Sequence, residues 1–553
     1  MKQLFSIWIA LMALNNNSYA QAKKYFIYFT DKNNTPYSLS QPQSYLSQRA
    51  IDRRTRQNIA ITSNDLPVNP VYVDSIKKLG ANVILRSKWL NGVAIETADL
   101  NLLNTINNLG FVKSSKLVNR LVKGKSIDKF AFDFQNLSLR NSLVSSTTFD
   151  YGSSFTQNNQ IGCDCMHQQG FTGKGMLIAV LDAGFPAANT VSVFDSARAE
   201  NRISTGFDFV DNNNQIFDDH PHGTYVLSCM ASLVNGQIIG TAPHASYVLI
   251  RTEDAPTEHI IEEYNWVAGA EFADSVGADI INSSLGYTQF DDPSQNHTYQ
   301  DMDGDHTIAA FGADIAASKG IFVNISAGNS GNSPWYYIST PADADSALAI
   351  GALDASGNVA GFSSRGPAPD GAVKPNVMAM GVGTTVVDPA DIVTTGSGTS
   401  FAGPVNAGAV ACLWQSYPQA TNMQLKAAIE QSASIYNNPN GDYGYGIPNY
   451  CLAKSLLTGI DPRKLYEKEP LVYPNPFLNE INVNIYSGDT QTINISIYDI
   501  AGKMILTQQH KLGLNSYNNL QLELPGNLSA GTYSVTVNSD KINFRKKLMK
   551  ILK

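Results

Sequence analysis

The spacing of apolar and polar positions changes character along the chain, and each change predicts a different kind of unit. From Lys23 to about Leu121 short segments alternate. "KYFIYF" reads as a strand, "VYVDSIKKLG" as an amphipathic helix ending at Gly80 and "ANVILRSKWLNGVAIET" as two strands. "DLNLLNTINNLG" reads as a second helix capped by Asp99, and "FVKSSKLV" as a last strand. That order predicts a compact βαββαβ unit, an α+β domain over 21–121, with no constellation of catalytic residue types. Residues 122–160 are rich in Ser, Asn and Gln without a period, which predicts an exposed connector. From 161 to 459 continuous apolar, β-branched runs ("MLIAVLDAGF", "SYVLIRTED", "ADIINSSLG", "GIFVNISAGNSG", "ALAIGALD") alternate with helical patterns at 257–276 and 307–319. Such runs predict an α/β domain, a doubly wound and mainly parallel sheet covered on both faces. After a linker at 460 the segments "LVYPNPFLNEINVNIY", "ISIYDIAGKMILTQQ", "LQLEL" and "LSAGTYSVTVNSDKINFRKKLMK" alternate strands and turns, which predicts a small all-β sandwich in 460–553.

In a doubly wound sheet, chemistry gathers beyond the carboxyl ends of the strands, and four polar residues fall there. Asp182 closes "LIAVLDAGF", His222 precedes Gly223 at a helix start, Asn329 sits in the turn of "NISAGNSG", and Ser400 opens the helix "FAGPVNAGAVACLWQSY", with Pro404 expected in its first turn. Singly, each has a plainer reading as a turn cap, a surface residue or an Asx turn. Together they supply a hydroxyl nucleophile, a base for its proton, a carboxylate to fix the base's tautomer and a donor for an oxyanion. A helix N-terminus adds dipole and backbone N–H to Ser400.

These residues carry a resemblance. "VLDAGF", "HGTYV", "SSLG" at 283–286, "SAGN" and "GTSFAGP" make 161–459 similar to the subtilisin-like serine proteases, whose chain order of Asp, His and Ser is followed. The resemblance implies a triad of Asp182, His222 and Ser400, and an oxyanion hole from Asn329 and the Ser400 backbone. It also implies that Ser284, Leu285 and Gly286 pair with extended substrate as an added strand. Ala183, Tyr225 and Phe401 depart from the family's usual residues without removing a proton-moving group. The G-x-S-x-G esterases are a weak rival, because residue 402 is alanine and the serine comes last. A subtilisin-fold surface-binding protein without activity is the competing class.

The same resemblance assigns the flanking units. The N-terminal unit resembles an inhibitory propeptide, with a maturation site in 122–160, against the alternative of an independent binding domain. On "YPNP", "YDIAGK", "LSAGTY" and the lysine-rich end, the tail resembles the sorting domain of type IX secretion cargo in Gram-negative bacteria, against a carbohydrate-binding module. At the N-terminus Lys2, the apolar stretch Leu4 to Leu14, and Ser18 and Ala20 read as a secretory signal over 1–20. The stretch is too short to span a bilayer, so no transmembrane segment is expected.

Composition narrows the partners. A net charge of -8, with no basic cluster outside the C-terminus, excludes nucleic acid and leaves protein or peptide substrate, the chain's own propeptide and the secretion machinery. No cofactor is expected and no metal ligand is assigned. The acidic loops "DNNNQIFDD" (211–219) and "DMDGD" (301–305) hold calcium-type oxygen donors without EF-hand spacing and are read as solvated loops, against the alternative of calcium sites, which some subtilisin-like proteases carry. Five cysteines are too few for a disulfide framework and read as small buried hydrophobes.

Overall fold

The computed structural model describes residues 22–119, 129–130, 135–136, 149–459, 470–487, 491–512, 516–526 and 528–551. The signal segment at 1–20 and most of the expected maturation region lie outside the described residues.

The N-terminal unit comprises β1 (Lys23–Phe29), α1 (Gln48–Arg56), α2 (Pro70–Lys78), β2 (Asn82–Ser87), β3 (Gly92–Thr97), α3 (Leu100–Asn107) and β4 (Val112–Asn119). Its antiparallel sheet has the order β2-β3-β1-β4. Asp99 caps α3 by accepting from Asn101 N. The two-residue period of β1 divides its side chains. Tyr25, Ile27 and Phe29 pack with Val73, Ile76, Leu103 and Ile106 of the unit's own helices, whereas Phe26 joins a core shared with the next domain. Helix α1 was not predicted, and its reason is chemical. The residues it buries are Ala50, Arg53 and Arg54, so no apolar stripe marks it.

A two-residue strand, β5 (Gln135–Asn136), precedes α4 (Phe155–Asn159) and α5 (Cys163–Gln168). The exposed connector expected up to 160 is therefore corrected over its last part. Tyr151, Ser154, Gln157 and Asn158 are buried, Ser154 Oγ donates to Ile239 O, and Gln157 Nε2 donates to Thr385 O.

The central domain continues with β6 (Leu177–Asp182), α6 (Asp195–Ala199), β7 (Ile203–Asp208), α7 (His222–Ala231), the ribbon β8 (Leu233–Val234) and β9 (Ile238–Ile239), and β10 (Ser246–Arg251). Then come α8 (Ile261–Val276), β11 (Ile280–Ser283), α9 (Ile308–Ser318), β12 (Phe322–Ser326), β13 (Leu348–Leu353), β14 (Val377–Met380), β15 (Thr384–Val387) and β16 (Val393–Gly396). Helices α10 (Thr399–Ser416), α11 (Asn422–Ser432) and α12 (Tyr450–Leu457) close it. Seven parallel strands run in the order β14-β13-β12-β11-β6-β10-β7, so the chain leaves β6 in both directions. One core packs α7 and α10 on the sheet and the other packs α8 and α9, which is the two-faced burial the apolar strands predict.

One cysteine reading is corrected. Cys163, Cys229 and Cys412 are free and buried as expected, but Cys165 and Cys451 form a disulfide between α5 and α12. At a sequence separation of 286, no local spacing could announce the pair.

The C-terminal unit has β17 (Leu471–Tyr473), β18 (Glu480–Ser487), β19 (Gln491–Asp499), β20 (Met504–Leu512), β21 (Ser516–Glu523), β22 (Gly531–Asn538) and β23 (Asn543–Lys550). Sheets β17-β18-β21 and β20-β19-β22-β23 enclose Val483, Ile485, Ile495, Ile497, Val535 and Val537, as a sandwich. No described helix is long and apolar enough to cross a membrane.

The N-terminal unit lies on α8. Asp274 accepts from Arg53 Nη2 at 2.5 Å and from Arg54 Nη2 and Lys88 Nζ at 3.0 Å, and Arg54 also reaches Asp65 at 2.8 Å. Glu271 accepts from the backbone N–H of Lys88 and Trp89 and from Ser87 Oγ, while Tyr28 and Tyr264 share a 2.7 Å hydroxyl bond.

Candidate active site

Asp182 is the last residue of β6 and His222 the first of α7, so a buried strand end meets a helix start. Both are fully buried, and His222 Nδ1 lies 2.6 Å from Asp182 Oδ1. Ala183 N donates to the same oxygen at 2.8 Å. The carboxylate is thereby oriented toward one ring nitrogen, which fixes the other as the one that can exchange a proton.

Ser400 is the second residue of α10 and is buried. Its helix lies close against the strand ends because its residues are small: a Cβ on Gly403 would collide with Ser326 Oγ. Pro404 lies inside the helix and not in its first turn, which corrects the expectation. A proline there cannot donate to the carbonyl four residues back. That carbonyl belongs to Ser400, and it accepts instead from Ser284 Oγ at 3.0 Å. Thr399 O, one residue earlier, accepts from Ser326 Oγ at 2.8 Å. The opening of α10 is thus held by side chains of the strand ends beneath it.

Asn329 follows β12 and is held by Thr399. Its Oδ1 accepts from Thr399 N at 2.9 Å and from Thr399 Oγ1 at 2.8 Å. With the oxygen so engaged, the amide N–H₂ is the arm left to serve a ligand beside Ser400. Thr399 was quoted in the sequence motif without a role, and an Asn orienter could not be read there. Ser397 faces elsewhere, accepting from Gly383 N.

A cavity of about 310 Å³ lies over these groups, lined by Ser284, Leu285, Gly286, Asn329 and Ser400 among others. His222 is covered by the Phe130 ring, 4.3 Å away between centroids, and approached from α10 by Phe401 at 6.3 Å. The structure therefore places Asp182 with His222, and Ser284, Leu285, Gly286, Asn329 and Ser400 around one cavity. Sequence reading missed Phe130 and its neighbour Lys129. It also missed Glu253, Glu258 and Glu262, although "TEDAPTEHIIEE" is a visibly acidic stretch. Lys129 Nζ lies 2.5 Å from Glu253 Oε1, 3.0 Å from Glu258 Oε2 and 2.5 Å from Glu262 Oε2.

The two acidic loops are engaged by protein groups. Arg251 Nη1 bonds Asp208, Asp211 and Asp219 at 2.8–3.0 Å, placing a guanidinium where a cation would stand. In the second loop Asp301 caps the Thr298 turn and Asp303 pairs with His306 at 2.7 Å.

Comparison with known proteins accords with this arrangement. Residues 173–446 match the family model of the subtilase family, residues 24–130 that of the peptidase S8 propeptide domain of Bacteroidota, and residues 471–551 that of the secretion system C-terminal sorting domain. The chain is 32% identical to Subtilisin E of Bacillus subtilis (strain 168) over 295 residues, which is 53% of this chain and 68% of that protein. It is 30% identical to Subtilisin of Bacillus pumilus over 295 residues, 95% of that protein, and 31% identical to Subtilisin DY of Bacillus licheniformis over 291 residues, 94% of that protein.

Proposed function

The chain belongs to the subtilase family, with a propeptide domain before the peptidase domain and a type IX sorting domain after it, and from that premise we propose that it is an exported serine endopeptidase acting through an acyl-enzyme on Ser400. The sorting domain means export to the cell surface or beyond. The observation that carries the catalytic reading is the 2.6 Å contact of His222 Nδ1 with buried Asp182, next to the cavity that holds Ser400 and Asn329.

In this reading His222 Nε2 takes the Ser400 Oγ proton as that oxygen attacks the peptide carbonyl. Asp182 holds the Nδ1–H and stabilises the imidazolium. The developing oxyanion receives hydrogen bonds from Asn329 Nδ2 and the Ser400 N–H. His222 then passes the proton to the leaving amine, and water repeats the sequence on the ester. The backbone of Ser284, Leu285 and Gly286 holds the substrate as an added strand, leaving selectivity to side-chain pockets. In the uncut precursor the N-terminal unit covers the base through Phe130 and acts as the chain's own inhibitor. The protease domain of 161–459 is released by cutting within 122–160, with the signal at 1–20 removed on export.

Incubating purified protein with denatured casein, with and without a fluorophosphonate, tests this. Cleavage blocked by the reagent, with an adduct on Ser400 and none on Ser397, is expected. Intact casein and no adduct would establish the inactive surface-binding class instead.

A further inference from the structure

The cavity beside Ser400 has an acidic wall. Glu253 follows β10, Glu258 sits in the next loop and Glu262 is in the first turn of α8. One carboxylate oxygen from each lies within 4.8 Å of the others. Glu253 and Glu262 are 2% and 1% exposed, so burial disfavours their charge, and like charges at this range repel. A cation among its members relieves that repulsion, and the cation present is Lys129.

The wall is shaped independently of Lys129. Tyr287 Oη donates to Glu253 Oε2 at 3.0 Å and His259 N donates to Glu262 Oε1 at 2.7 Å, which orients both carboxylates. Burial, augmented by its acidic neighbours, pushes Glu258 up to about 8 and Glu262 well above the ordinary carboxylate range. Burial works against the Lys129 ammonium too, but Glu253, Glu262 and Glu258 outweigh it and hold the lysine protonated.

Lys129 belongs to the N-terminal segment and not to the peptidase domain. It immediately precedes Phe130, whose ring covers His222, and the chain then reaches β5, which pairs antiparallel with Thr394 and Thr395 of β16, the strand leading to Ser400. The segment thus places Lys129 and Phe130 in the lining of the same cavity as Ser400. Once that segment is cut and leaves, Glu253 and Glu258 line the cavity with Glu262 within reach of both, and the lysine is gone.

We propose that Glu253, Glu258 and Glu262 form a substrate subsite for a basic side chain, so that the enzyme prefers bonds preceded by a lysine followed by an aromatic residue, copying Lys129 and Phe130. This rests on the endopeptidase reading above, and the test has two arms so that the two can fail separately.

In the first arm the mature enzyme is given internally quenched peptides of residues 126–136, with Lys, Met or Glu at position 129. A kcat/KM for Lys roughly tenfold or more above Met, and Glu poorer still, is expected, since desolvated charge pairs discriminate at that level or beyond. Equal values for Lys and Met overturn the proposal. The second arm needs no activity. In the full-length Ser400→Ala precursor, limited trypsin digestion followed by mass spectrometry reads cleavage after Lys129. Protection is expected, and Glu253→Gln with Glu262→Gln should speed that cut by about tenfold or more. Equal rates in the parent and the double variant overturn the proposal. The peptide series on unaltered enzyme decides the matter if the double variant does not fold. Protection of Lys129 without peptide selectivity would make the wall a propeptide clamp only, which also overturns the proposal. Casein left intact while Lys129 is protected in a glutamate-dependent way would defeat the endopeptidase reading and leave the pocket's affinity for a basic side chain standing.

Discussion

Two buried charge clusters join the N-terminal unit to the peptidase domain, and they are mirror images in composition. Against the end of α8, one carboxylate of the peptidase domain, Asp274, receives three cations of the N-terminal unit: Arg53, Arg54 and Lys88. In the cleft, three carboxylates of the peptidase domain receive one cation of the N-terminal segment, Lys129. When the propeptide leaves, Asp274 is uncovered together with Glu271 and Asp279, which also bond the N-terminal unit, on an outer surface where water hydrates them. The second leaves surplus acid at the mouth of the reaction site. The two surfaces thus differ in where the acid is left, one on the outer face of α8 and the other beside Ser400.

The largest expected effect breaks the first cluster. Asp274→Ala leaves Arg53, Arg54 and Lys88 buried without their shared acid, and removing one partner of such a network costs about 3–5 kcal/mol. Urea denaturation of the Ser400→Ala precursor should show that loss. An unchanged midpoint would mean the cluster is solvated and the comparison false.

Next in size is a change in the cleft that touches no charge. Asn329→Ala removes the proposed oxyanion donor and leaves both clusters intact. The range measured for removing such a donor from a subtilisin, about 10²–10³ in kcat or roughly 2.7–4 kcal/mol, is carried over with KM little altered. A loss below about fivefold in steady-state kinetics would show that Asn329 has another task.

Smaller again is the effect of acid on the first cluster. Burial alone would raise the Asp274 pKa, but Lys88, Arg53 and Arg54 more than offset this and hold it far below the ordinary carboxylate range. A depressed pKa contributes docking energy that is fully present above the ordinary value of about 4 and lost as pH falls toward the depressed one, by roughly tenfold per unit. Asp65 is lowered as well and adds in the same direction. Size-exclusion chromatography of the cut complex should show it intact at pH 6 and dissociating progressively below pH 4. Dissociation that sets in as pH rises would reverse the assignment.

The smallest effect separates positioning from chemistry. Thr399→Val deletes the hydroxyl that holds Asn329 Oδ1 but leaves the backbone donor, and losing one neutral hydrogen bond costs about 1 kcal/mol. A fall of about fivefold in kcat with KM unchanged is expected. No change would mean the backbone N–H suffices to hold the amide.

Much of the fold was legible because β6, β10, β11, β12 and β13 are buried on both faces and therefore read as unbroken apolar runs. Of the candidate site, the meeting of Asp182 and His222 was legible, since one ends an apolar strand and the other begins a helix. What stayed hidden was held by interactions that no apolar period records. Helix α1 buries arginines against Asp274 and so looks like surface. The segment 149–160 is polar in composition yet fixed by Ser154 and Gln157 bonding distant carbonyls. Pro404 looked like a first-turn residue because the helix start was placed late, and the Ser284 hydroxyl that satisfies Ser400 O comes from another strand end. Lys129 acquires its meaning only when three glutamates over a hundred residues away close around it.

The bond between Cys165 and Cys451 has a bearing on how such an enzyme wears out. It ties the first helices of the peptidase domain to the last, with nearly all of the domain in the loop between them. A protease held among its own copies is also their substrate, and its exposed loops are where one molecule nicks another. Any single cut between those two cysteines leaves both pieces covalently attached. A nicked enzyme is still one molecule, its halves kept at each other's disposal until a reductant or a second cut parts them.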